Sequence, residues 1–478
     1  MVRKLWFHKV LALLLVTGCL WLGLTQVGGL VDERQQRQRE AEQSVMGSLA
    51  GEQTLVGPVL LRSCTERWQR FEGEGKDRKA IDEDSHFLLS VWPQSVEVDG
   101  QATLEPRRRG IFEVNTYQTA MSLKLRFADL ARLEPKARHD NGRVACHDAT
   151  LGFGVNDARG LLEVAASEAG RALRVAPGSQ LALMPTGFHV PIAMEGRAMT
   201  DPLAVDMKLV LAGSLSLSFV PVAQQTQVAL RSNWPHPSFG GRFLPVGPRE
   251  ISSQGFQARW SVNALATTAR QRVLGGEQAC GAAPAAPTSC LDTFGVSFVA
   301  PINGYVLSDR ALKYGMLFIG LTFAFVGLAE LLKRARVHPV QYLLAGCALS
   351  VFFLLLLSLQ EHLPFGLAYG IAATACTVLL AYHGRHCLGS WALGAGFGVA
   401  IAALYGSLYL LLQLEQTALA VGAVMLFGVL AAIIVVTRLV DWYSLTGSQG
   451  LQAGPPPAVP GFPDNGGPRA QGAMSPAA

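Results

Sequence analysis

The sequence predicts a membrane protein of mixed α and β structure, with six transmembrane helices, one N-terminal and five C-terminal. A large β-sandwich-like domain is predicted between the first helix and the second. Half of the 478 residues are apolar, more than an ordinary soluble fold uses, and they concentrate near the N-terminus and after Leu312. Between these regions, polar and apolar residues alternate with the period of a β-strand. The net charge of +5 is modest and the basic residues form no continuous stripe, so we expect no nucleic-acid partner.

The first predicted span follows a basic N-terminus. Arg3, Lys4 and Lys9 precede an apolar run at residues 10–24. A cleaved signal peptide needs a small-x-small site, which does not follow this run. A lipoprotein signal ending in Cys19 would turn polar after the cysteine, whereas this chain stays apolar. An uncleaved membrane helix is therefore favoured, and all three interpretations place the following segment across the membrane.

Five further apolar segments have the roughly 20-residue length that crosses a bilayer: residues 312–332, 341–359, 364–382, 391–412 and 417–437. Basic residues follow the second, fourth and sixth spans, at 333–338, 383–386 and Arg438. The intervening loops carry Glu361 and Glu415 without Lys or Arg. The positive-inside rule therefore predicts that both termini are cytoplasmic and that residues 31–310 lie on the other side.

Four regions follow from these spans: residues 1–30 (N-terminus and first helix), 31–310 (β-rich domain), 311–443 (five-helix bundle) and 444–478 (tail). In the β domain, alternation is clearest at residues 122–127, 213–222 and 227–232, with turn signals between such segments. An antiparallel, sandwich-like domain, or two of them, fits this pattern, which does not reveal strand order. The tail is rich in Pro, Gly and Ala and is predicted to be disordered in the cytoplasm.

Four of the eight cysteines lie in the predicted β domain: Cys64, Cys146, Cys280 and Cys290. Cys280 and Cys290 flank a short turn-forming segment, so a local disulfide is predicted there. Cys64 and Cys146 are the second predicted pair. The alternative, four unpaired thiols, is disfavoured in an oxidising compartment.

No catalytic or cofactor-binding signature is present in the chain. It lacks the G-x-S-x-G, S-x-x-K, H-E-x-x-H, Walker A and C-x-x-C patterns, so no catalytic residue and no cofactor are predicted. His383, His386 and Cys387 have no fourth ligand nearby and indicate a basic loop at a helix end, not a metal site. The sequence DARG at residues 157–160 predicts a structural salt bridge at a turn.

The glycines and charges of the predicted spans favour helix packing over proton-coupled transport. Two G-x-x-x-G patterns, at residues 366–370 and 394–398, predict close helix–helix contacts. No span carries an ionisable residue at mid-depth, where such residues are usually functional. Glu330 is the nearest, about one turn before the cytoplasmic boundary, and is expected to pair with the basic cluster at Lys333 or to reach the interface. A passive or lipid-related role stays open.

The segment SNWPHPSFGGRFLP, residues 232–245, is the most unusual stretch of the β domain. Its three prolines exclude a helix interior or a central strand, because proline lacks a backbone N–H. Its candidate binding residues are Trp234, His236, Phe239 and Phe243. A structural corner, with the rings packed on the sandwich, is the favoured interpretation. A recognition loop comes second, and a catalytic loop last, because the sequence gives the lone His236 no evident carboxylate or serine partner.

Several long and rare segments of this chain are shared with a known family. They include GEQTLVGP (51–58), RSNWPHPSFGGRFLP (231–245), KYGMLFIGLTF (313–323) and DWY (441–443). These segments resemble the CreD family of bacterial inner-membrane proteins. The resemblance implies a multi-pass inner-membrane protein of a Gram-negative cell, linked to a two-component system that answers envelope stress. It also implies a part in β-lactam response and colicin tolerance, with no established enzymatic activity, ligand or catalytic residue.

The predicted function is therefore non-enzymatic support of cell envelope integrity through binding in the periplasm. The expected partners are the lipids of the bilayer and an unknown periplasmic partner, which the sequence leaves open between protein, peptidoglycan and lipid. The alternative is handling of a lipid or hydrophobic substrate by the C-terminal helices. In that case Gly366, Gly370, Gly394 and Gly398 would shape a helix interface.

Overall fold

The computed structural model of this chain describes residues 2–72, 79–248, 250–275, 291–298, 303–333, 337–414 and 417–438. These residues belong to two compact units. One unit contains residues 26–310 together with 356–368, as far as they are described, and it holds the β domain. The other contains residues 2–25, 311–355 and 369–438, and it holds most of the helices.

The β domain is built from 17 described strands. In chain order they are β1 (Gln53–Glu72), β2 (Lys79–Val91), β3 (Ser95–Arg109), β4 (Phe112–Phe127), β5 (Arg143–Cys146), β6 (Ala149–Val155), β7 (Leu161–Glu168), β8 (Arg171–Leu173), β9 (Ala176–Pro177), β10 (Gly187–Ile192), β11 (Leu203–Ser214), β12 (Ser216–Phe219), β13 (Gln225–Ser232), β14 (Ser238–Gly241), β15 (Glu250–Ser252), β16 (Gly255–Asn263) and β17 (Phe294–Ser297). Sheet A has the order β14-β17-β12-β1-β6-β10-β9, with β2 and β5 also paired to β1. Sheet B has the order β15-β16-β13-β3-β4-β11-β7-β8.

The strands form two sheets, as a sandwich requires, but not all strand directions follow the prediction. Two pairs are parallel, β1 with β12 and β3 with β13. They join residues far apart in the chain, such as Gln53 with Leu217 and Ser95 with Gln225. The expectation of a purely antiparallel domain was wrong at these two pairs. Period-two alternation indicates which face a side chain occupies, and it carries no information on the direction of the neighbouring strand.

The main hydrophobic core lies between the inward faces of the two sheets. Along β13, Val228 and Leu230 are buried while Gln227 is exposed, as the two-residue strand period dictates. Aromatic rings bridge the sheets: the ring centroid of Trp260 in β16 lies 5.8 Å from that of Phe294 in β17. Both side chains are fully buried. Truncating such a ring to alanine typically costs about 3–5 kcal/mol of stability, so Trp260→Ala would loosen the join between the sheets.

The hairpin of β3 and β4 is the longest ribbon of sheet B. Its pairing ends with Arg109 opposite Phe112, about 50 Å from its other end at the usual rise per residue. Gly110 begins the turn with φ of +62°, in the left-handed region that favours glycine. Strand β13 stops opposite Ala102, and β11 stops opposite Thr116. The end of the hairpin therefore projects beyond its neighbours as a two-stranded ribbon.

Helix α1 (Val2–Ser48) contains the predicted first span and continues beyond it as a polar helix. It ends against the DARG turn. Arg159 donates hydrogen bonds to the carbonyl oxygens of Met46 (3.2 Å) and Gly47, which have no partner within the helix. Asp157 holds this guanidinium, with 2.5 Å between its Oδ2 and Nη2, and these hydrogen bonds lower the pKa of Asp157. The predicted salt bridge is present, and it also caps α1.

The remaining described α-helices are α2 (Ala269–Gly275), α3 (Gly304–Lys313), α4 (Gly315–Lys333), α5 (Pro339–Leu359), α6 (Phe365–Leu388), α7 (Trp391–Gln413) and α8 (Ala418–Thr437). Helices α1, α5, α6 and α7 contain stretches long and apolar enough to cross a membrane. Helices α3 and α4 are bent by 44° at their junction, and together they form a fifth segment long and apolar enough to cross a membrane. The sixth predicted span corresponds to α8, where the described apolar stretch, Ala420–Val435, is shorter than a full span. The count of six therefore stays a prediction.

Polar side chains at the helix ends beside the β domain contact one another. The contacts are Arg34 Nε to Glu361 Oε1 (3.2 Å), Ser308 Oγ to Gln360 Oε1 (2.9 Å), Asn303 Nδ2 to Gln38 Oε1 (2.9 Å) and Gln35 Nε2 to the Tyr305 carbonyl oxygen (3.4 Å). The first two of these contacts join residues 356–368, between α5 and α6, to α1 and α3 within the unit of the β domain.

Helices α6 and α7 pack closely through glycine. A Cβ at Gly394 would lie 2.8 Å from the backbone of Arg385, and one at Gly398 would lie 2.7 Å from the Cβ of Ala381. The predicted contact is thus confirmed for the pattern at 394–398. It was wrong at Gly370, where an added Cβ would meet no neighbouring atom within 4 Å. Small-residue spacing permits close approach, but it does not tell which helix face is covered.

One carboxylate joins three helices of the helical unit. Lys9 of α1 forms an ion pair with Glu330 of α4, and Tyr342 of α5 donates its hydroxyl to the other carboxylate oxygen at 3.0 Å. The sequence suggested the basic cluster just after α4, or the interface, as the partner of Glu330. Its described ion-pair partner is a lysine 321 positions away, a contact that no local pattern reveals, while the Lys333 side chain and residues 334–336 lie outside the described part of the chain.

Candidate functional site

The segment at residues 232–245 folds as a packed corner of the sandwich. Trp234, Phe239 and Phe243 are partly buried against the main core. Phe239 in β14 meets Phe256 and Trp260 edge-on, with 5.6 Å between ring centroids in each case. Edge-to-face pairs of this kind contribute about 0.5–1.5 kcal/mol beyond the area they bury. Three of the four candidate residues therefore support the fold at this corner.

The fourth candidate, His236, is exposed. Its carbonyl oxygen accepts a hydrogen bond from Trp234 Nε1 at 2.8 Å, and its ring stands edge-on to the Trp234 ring with 6.2 Å between centroids. Within the described ranges, no side chain donates to or accepts from the imidazole. The ring therefore has neither the carboxylate nor the hydroxyl neighbour that nucleophilic catalysis uses.

A buried carboxylate fixes this corner to the rest of the domain. The side chain of Asp292 is 3% exposed and accepts hydrogen bonds from Arg242 Nη1 (2.7 Å), Thr267 Oγ1 (2.8 Å) and the Thr268 backbone N (3.2 Å). Burial alone would raise the pKa of Asp292. The donors outweigh burial, so the pKa of this carboxyl lies below its usual value.

The continuation of the same segment forms one wall of a groove on the outward face of sheet B. The backbone N of Val246 donates to the carbonyl oxygen of Arg259 at 2.7 Å, which holds residues 246–248 beside the sheet. The groove has a volume of about 850 Å³, within the range of small-ligand sites. Its outward-pointing lining residues are Glu97, Asp99, Ser122, Lys124, Gln227, Ala229, Gln257, Arg259 and Ser261.

The strand register explains the depression at the middle of this groove. Arg259, Ala229, Asp99 and Ser122 stand in one row across β16, β13, β3 and β4. Neighbouring strands are about 4.8 Å apart, so Arg259 and Asp99 are separated by roughly 10 Å, with only a methyl group between them. A ligand resting on Ala229 would meet the Arg259 guanidinium on one side and, on the other, Asp99 in its ion pair with Arg231.

Much of the charge in the groove is available to a ligand. Arg231 pairs with Asp99 at 2.9 Å on the rim. In the part of the chain that the structure describes, the side chains of Glu97, Lys124 and Arg259 form no hydrogen bond or ion pair. Their donors and acceptors, with the neighbouring amides and hydroxyls, suit a polar ligand with several hydrogen-bonding groups. No single motif encodes this set, and only the sheet register brings it together.

The cysteines of the β domain have two different outcomes. Cys64 in β1 and Cys146 in β5 stand opposite each other and form a disulfide. Cys280 and Cys290 lie outside the described residues, so their pairing stays a prediction. The free cysteines in the described ranges, Cys19, Cys347, Cys376 and Cys387, all belong to the helices.

Beside the disulfide lies a buried carboxylate that sequence reasoning missed. Glu66 is completely buried in β1, and its Oε1 accepts hydrogen bonds from the backbone N–H groups of Arg138 (2.7 Å) and His139 (2.9 Å). Its Oε2 has no partner among the described residues. Burial would raise the pKa of Glu66. The backbone donors lower it by more than burial raises it, so the pKa lies below its usual value. The His139 ring stacks on Trp68 at 3.9 Å between centroids and covers this site.

The described residues contain no group of three or more His, Cys, Asp and Glu side chains that could hold a metal ion. At the end of α6, Cys387 Sγ lies 3.2 Å from His383 Nε2, and that nitrogen also lies 3.3 Å from the carbonyl oxygen of Gln341. These contacts link α6 to α5.

Comparison with known proteins identifies the family. A family model described as Inner membrane protein CreD matches residues 6–443. The protein of that name from Escherichia coli (strain K12) is 33% identical over 452 residues, which cover 93% of this chain and 96% of the relative. A solved structure described as a putative protease from Parabacteroides distasonis ATCC 8503 is similar over 48% of this chain and 45% of its own. Its identity is 10% and its TM-score is 0.19, a likeness too weak to carry any argument. The match over nearly the whole length confirms the resemblance, and this chain belongs to the CreD family of multi-pass inner membrane proteins.

Proposed function

We propose that this protein supports the integrity of the cell envelope, including survival under β-lactam challenge, by binding a partner in the groove of sheet B. The role is one of binding, not of catalysis. The observation that supports it is the groove itself, about 850 Å³ in volume and lined by charged, amide and hydroxyl side chains. Such a lining suits a polar partner, such as a peptide or a glycan, better than the acyl chain of a lipid.

The proposed orientation has six spans, both termini in the cytoplasm and the β domain in the periplasm. Basic residues after alternate spans support it, and so does the Cys64–Cys146 disulfide, because disulfides persist in oxidising compartments. A green fluorescent protein fused after residue 478 tests it, because this reporter, exported unfolded, fluoresces only in the cytoplasm. We expect bright cells, and a dark fusion of normal abundance would contradict the orientation.

A pair of alanines on one face of sheet B gives a matched test of the groove. Ala229 forms the floor of the groove, and Ala165 stands in the same cross-strand row four strands away, outside the lining. In cells that lack the native copy, we expect Ala229→Trp to lose survival under detergent and β-lactam challenge. Ala165→Trp adds the same bulk to the same face and should keep survival at the native level.

A charge change separates loss of binding from loss of folding. Arg259→Glu leaves the groove open, alters a side chain that is exposed, and reverses its charge. We expect it to accumulate normally in the membrane and to lose function as Ala229→Trp does. If both variants accumulate normally and protect cells as well as the native chain, the groove does not carry the function.

The alternative, handling of a lipid or hydrophobic substrate by the helices, has weaker support. A cavity among α4, α5, α6 and α7, lined by residues such as Val326, Ala345 and Phe397, measures about 20 Å³. That volume admits one water molecule but no acyl chain. If Gly398→Leu abolishes function at normal abundance while the groove variants do not, the helices become the working part of the protein.

A further inference from the structure

The tip of the β3–β4 hairpin lies beside the helix ends that emerge on the side of the β domain. The ring of Phe112 is 6.2 Å from the ring of Tyr305, the second residue of α3. The carbonyl oxygen of Tyr305 accepts a hydrogen bond from Gln35, and the preceding Arg34 pairs with Glu361, two residues beyond the end of α5. All of these residues belong to the same compact unit. The tip therefore lies at the level at which the apolar stretches of these helices end and polar residues begin.

This level corresponds to the headgroup layer of the bilayer. Helix α5 has 21 residues and a length of about 31 Å, close to the thickness of the hydrocarbon core, so Leu359 marks the edge of that core. The next residue, Gln360, accepts a hydrogen bond from Ser308, which is less than one turn of α3 from Tyr305. Headgroups extend about 5–8 Å beyond the core on each side, and one helical turn is about 5 Å. Tyr305 and the hairpin tip beside it therefore fall within this layer, where tyrosine is enriched.

The side chains of the tip are suited to that layer. Ile111, at the turn, is 47% exposed. Arg109 stands opposite Phe112 on one face of the ribbon, and it forms no hydrogen bond or ion pair within the described residues. Arg107 and Arg108, by contrast, are neutralised by glutamates at 3.2 and 3.4 Å. The tip thus presents one exposed apolar side chain and one unpaired guanidinium.

We propose that this tip docks on the lipids of the bilayer that the chain itself spans, with the Arg109 guanidinium on a headgroup phosphate and Ile111 among the upper acyl carbons. The planar guanidinium binds phosphate oxygens in a bidentate manner. A two-stranded ribbon is only marginally stable in water, so contact with the interface also explains how it keeps its form beyond the edge of sheet B. The lipid contact gives the β domain a second attachment to the membrane, independent of its helices.

Photocrosslinking of the full chain in nanodiscs tests this docking. Ile111 is replaced by photoreactive p-benzoylphenylalanine, and in a control the same group replaces Leu265, which is 97% exposed. Leu265 follows β16, whose last residue, Asn263, aligns through Gln225 with Ser95 at the far end of the hairpin. In discs of phosphatidylethanolamine and phosphatidylglycerol, we expect at least tenfold more lipid adduct at position 111 than at 265. Equal yields, or no adduct at 111, would overturn the proposal.

The headgroup contact is tested by charge. One basic residue strengthens binding to an anionic membrane surface about fivefold. At position 111, Arg109→Gln should therefore reduce the ratio of phosphatidylglycerol to phosphatidylethanolamine adducts by about that factor. Arg171→Gln, a control at the opposite end of sheet B, should leave the preference unchanged. An unchanged preference in Arg109→Gln would refute the role of Arg109. Thermal unfolding of each variant verifies that the β domain is intact.

Discussion

The disulfide between β1 and β5 allows a quantitative prediction. Cys64 and Cys146 are 82 residues apart, and the chain-entropy relation for a loop of that length gives about 4.5 kcal/mol of stabilisation at 25 °C. Replacing both with alanine should therefore lower the free energy of unfolding of the β domain by up to that amount. The loop also contains Arg138 and His139, whose backbone N–H groups hold the buried Glu66, so the loss should begin at this carboxylate.

Urea denaturation of the full chain in detergent, followed by tryptophan fluorescence, measures this loss, because Trp68 stacks on His139 beside the disulfide. With an m-value of about 3 kcal/mol per molar urea, the midpoint should fall by about 1.5 M. Cys347→Ala, which removes an exposed free thiol, is the control and should not shift the midpoint. The reasoning is refuted if the double variant unfolds at the native midpoint, or if a reductant leaves the native midpoint unchanged.

Three other perturbations probe the carboxylate, the helix packing and the membrane ion pair. The pKa of Glu66 is lower in the fold than its unfolded value of 4.5, so the stability it contributes is complete above pH 4.5 and is lost as pH falls through the folded pKa. Glu66→Gln should have a shallower acid-side slope in thermal melts across pH, with the remainder due to carboxylates such as Asp292, and a slope identical to the native one would argue against it. Gly398→Leu should destabilise the helical unit by about 1–3 kcal/mol in detergent unfolding, whereas Gly370→Leu, with open space around it, should change little, and equal losses would contradict the packing. Lys9→Met and Glu330→Gln should each cost about 1.5–3 kcal/mol, and a double-mutant cycle should show a combined loss smaller than their sum; additive losses would mean that the pair does not interact.

Local patterns in the sequence predict much of this fold. Alternation at residues 122–127 and 227–232 correctly identifies parts of β4 and β13, and apolar length identifies α5, α6 and α7. The order of apolar residues along the chain shows whether one face or all faces of an element are buried. The parallel pairing of β1 with β12 could not be predicted in this way, since it joins Gln53 to Leu217 across most of the domain. The capping of α1 by Arg159 was missed for the same reason.

The candidate site shows the same limit more sharply. Residues 232–245 attract notice by composition, yet Trp234, Phe239 and Phe243 use their rings for packing. The polar groove beside them is formed by Glu97, Lys124 and Arg259, ordinary outward residues of three different strands. Each is unremarkable in its own segment, and only the hydrogen-bonded register of sheet B makes them neighbours.

The position of β17 in sheet A has a consequence for how the domain is made. This strand lies between β12 and β14 and supplies Phe294 to the core, yet it is the last of the described strands to leave the ribosome. About 240 residues separate it from the start of β1, or roughly 12–50 s of synthesis at 5–20 residues per second. From the time that β12 and β14 are made until β17 follows, their edges and the apolar interior lack their final partner. The nascent domain therefore exposes unpaired strand edges and part of its core until β17 is made, and we expect it to aggregate in cells depleted of holding chaperones.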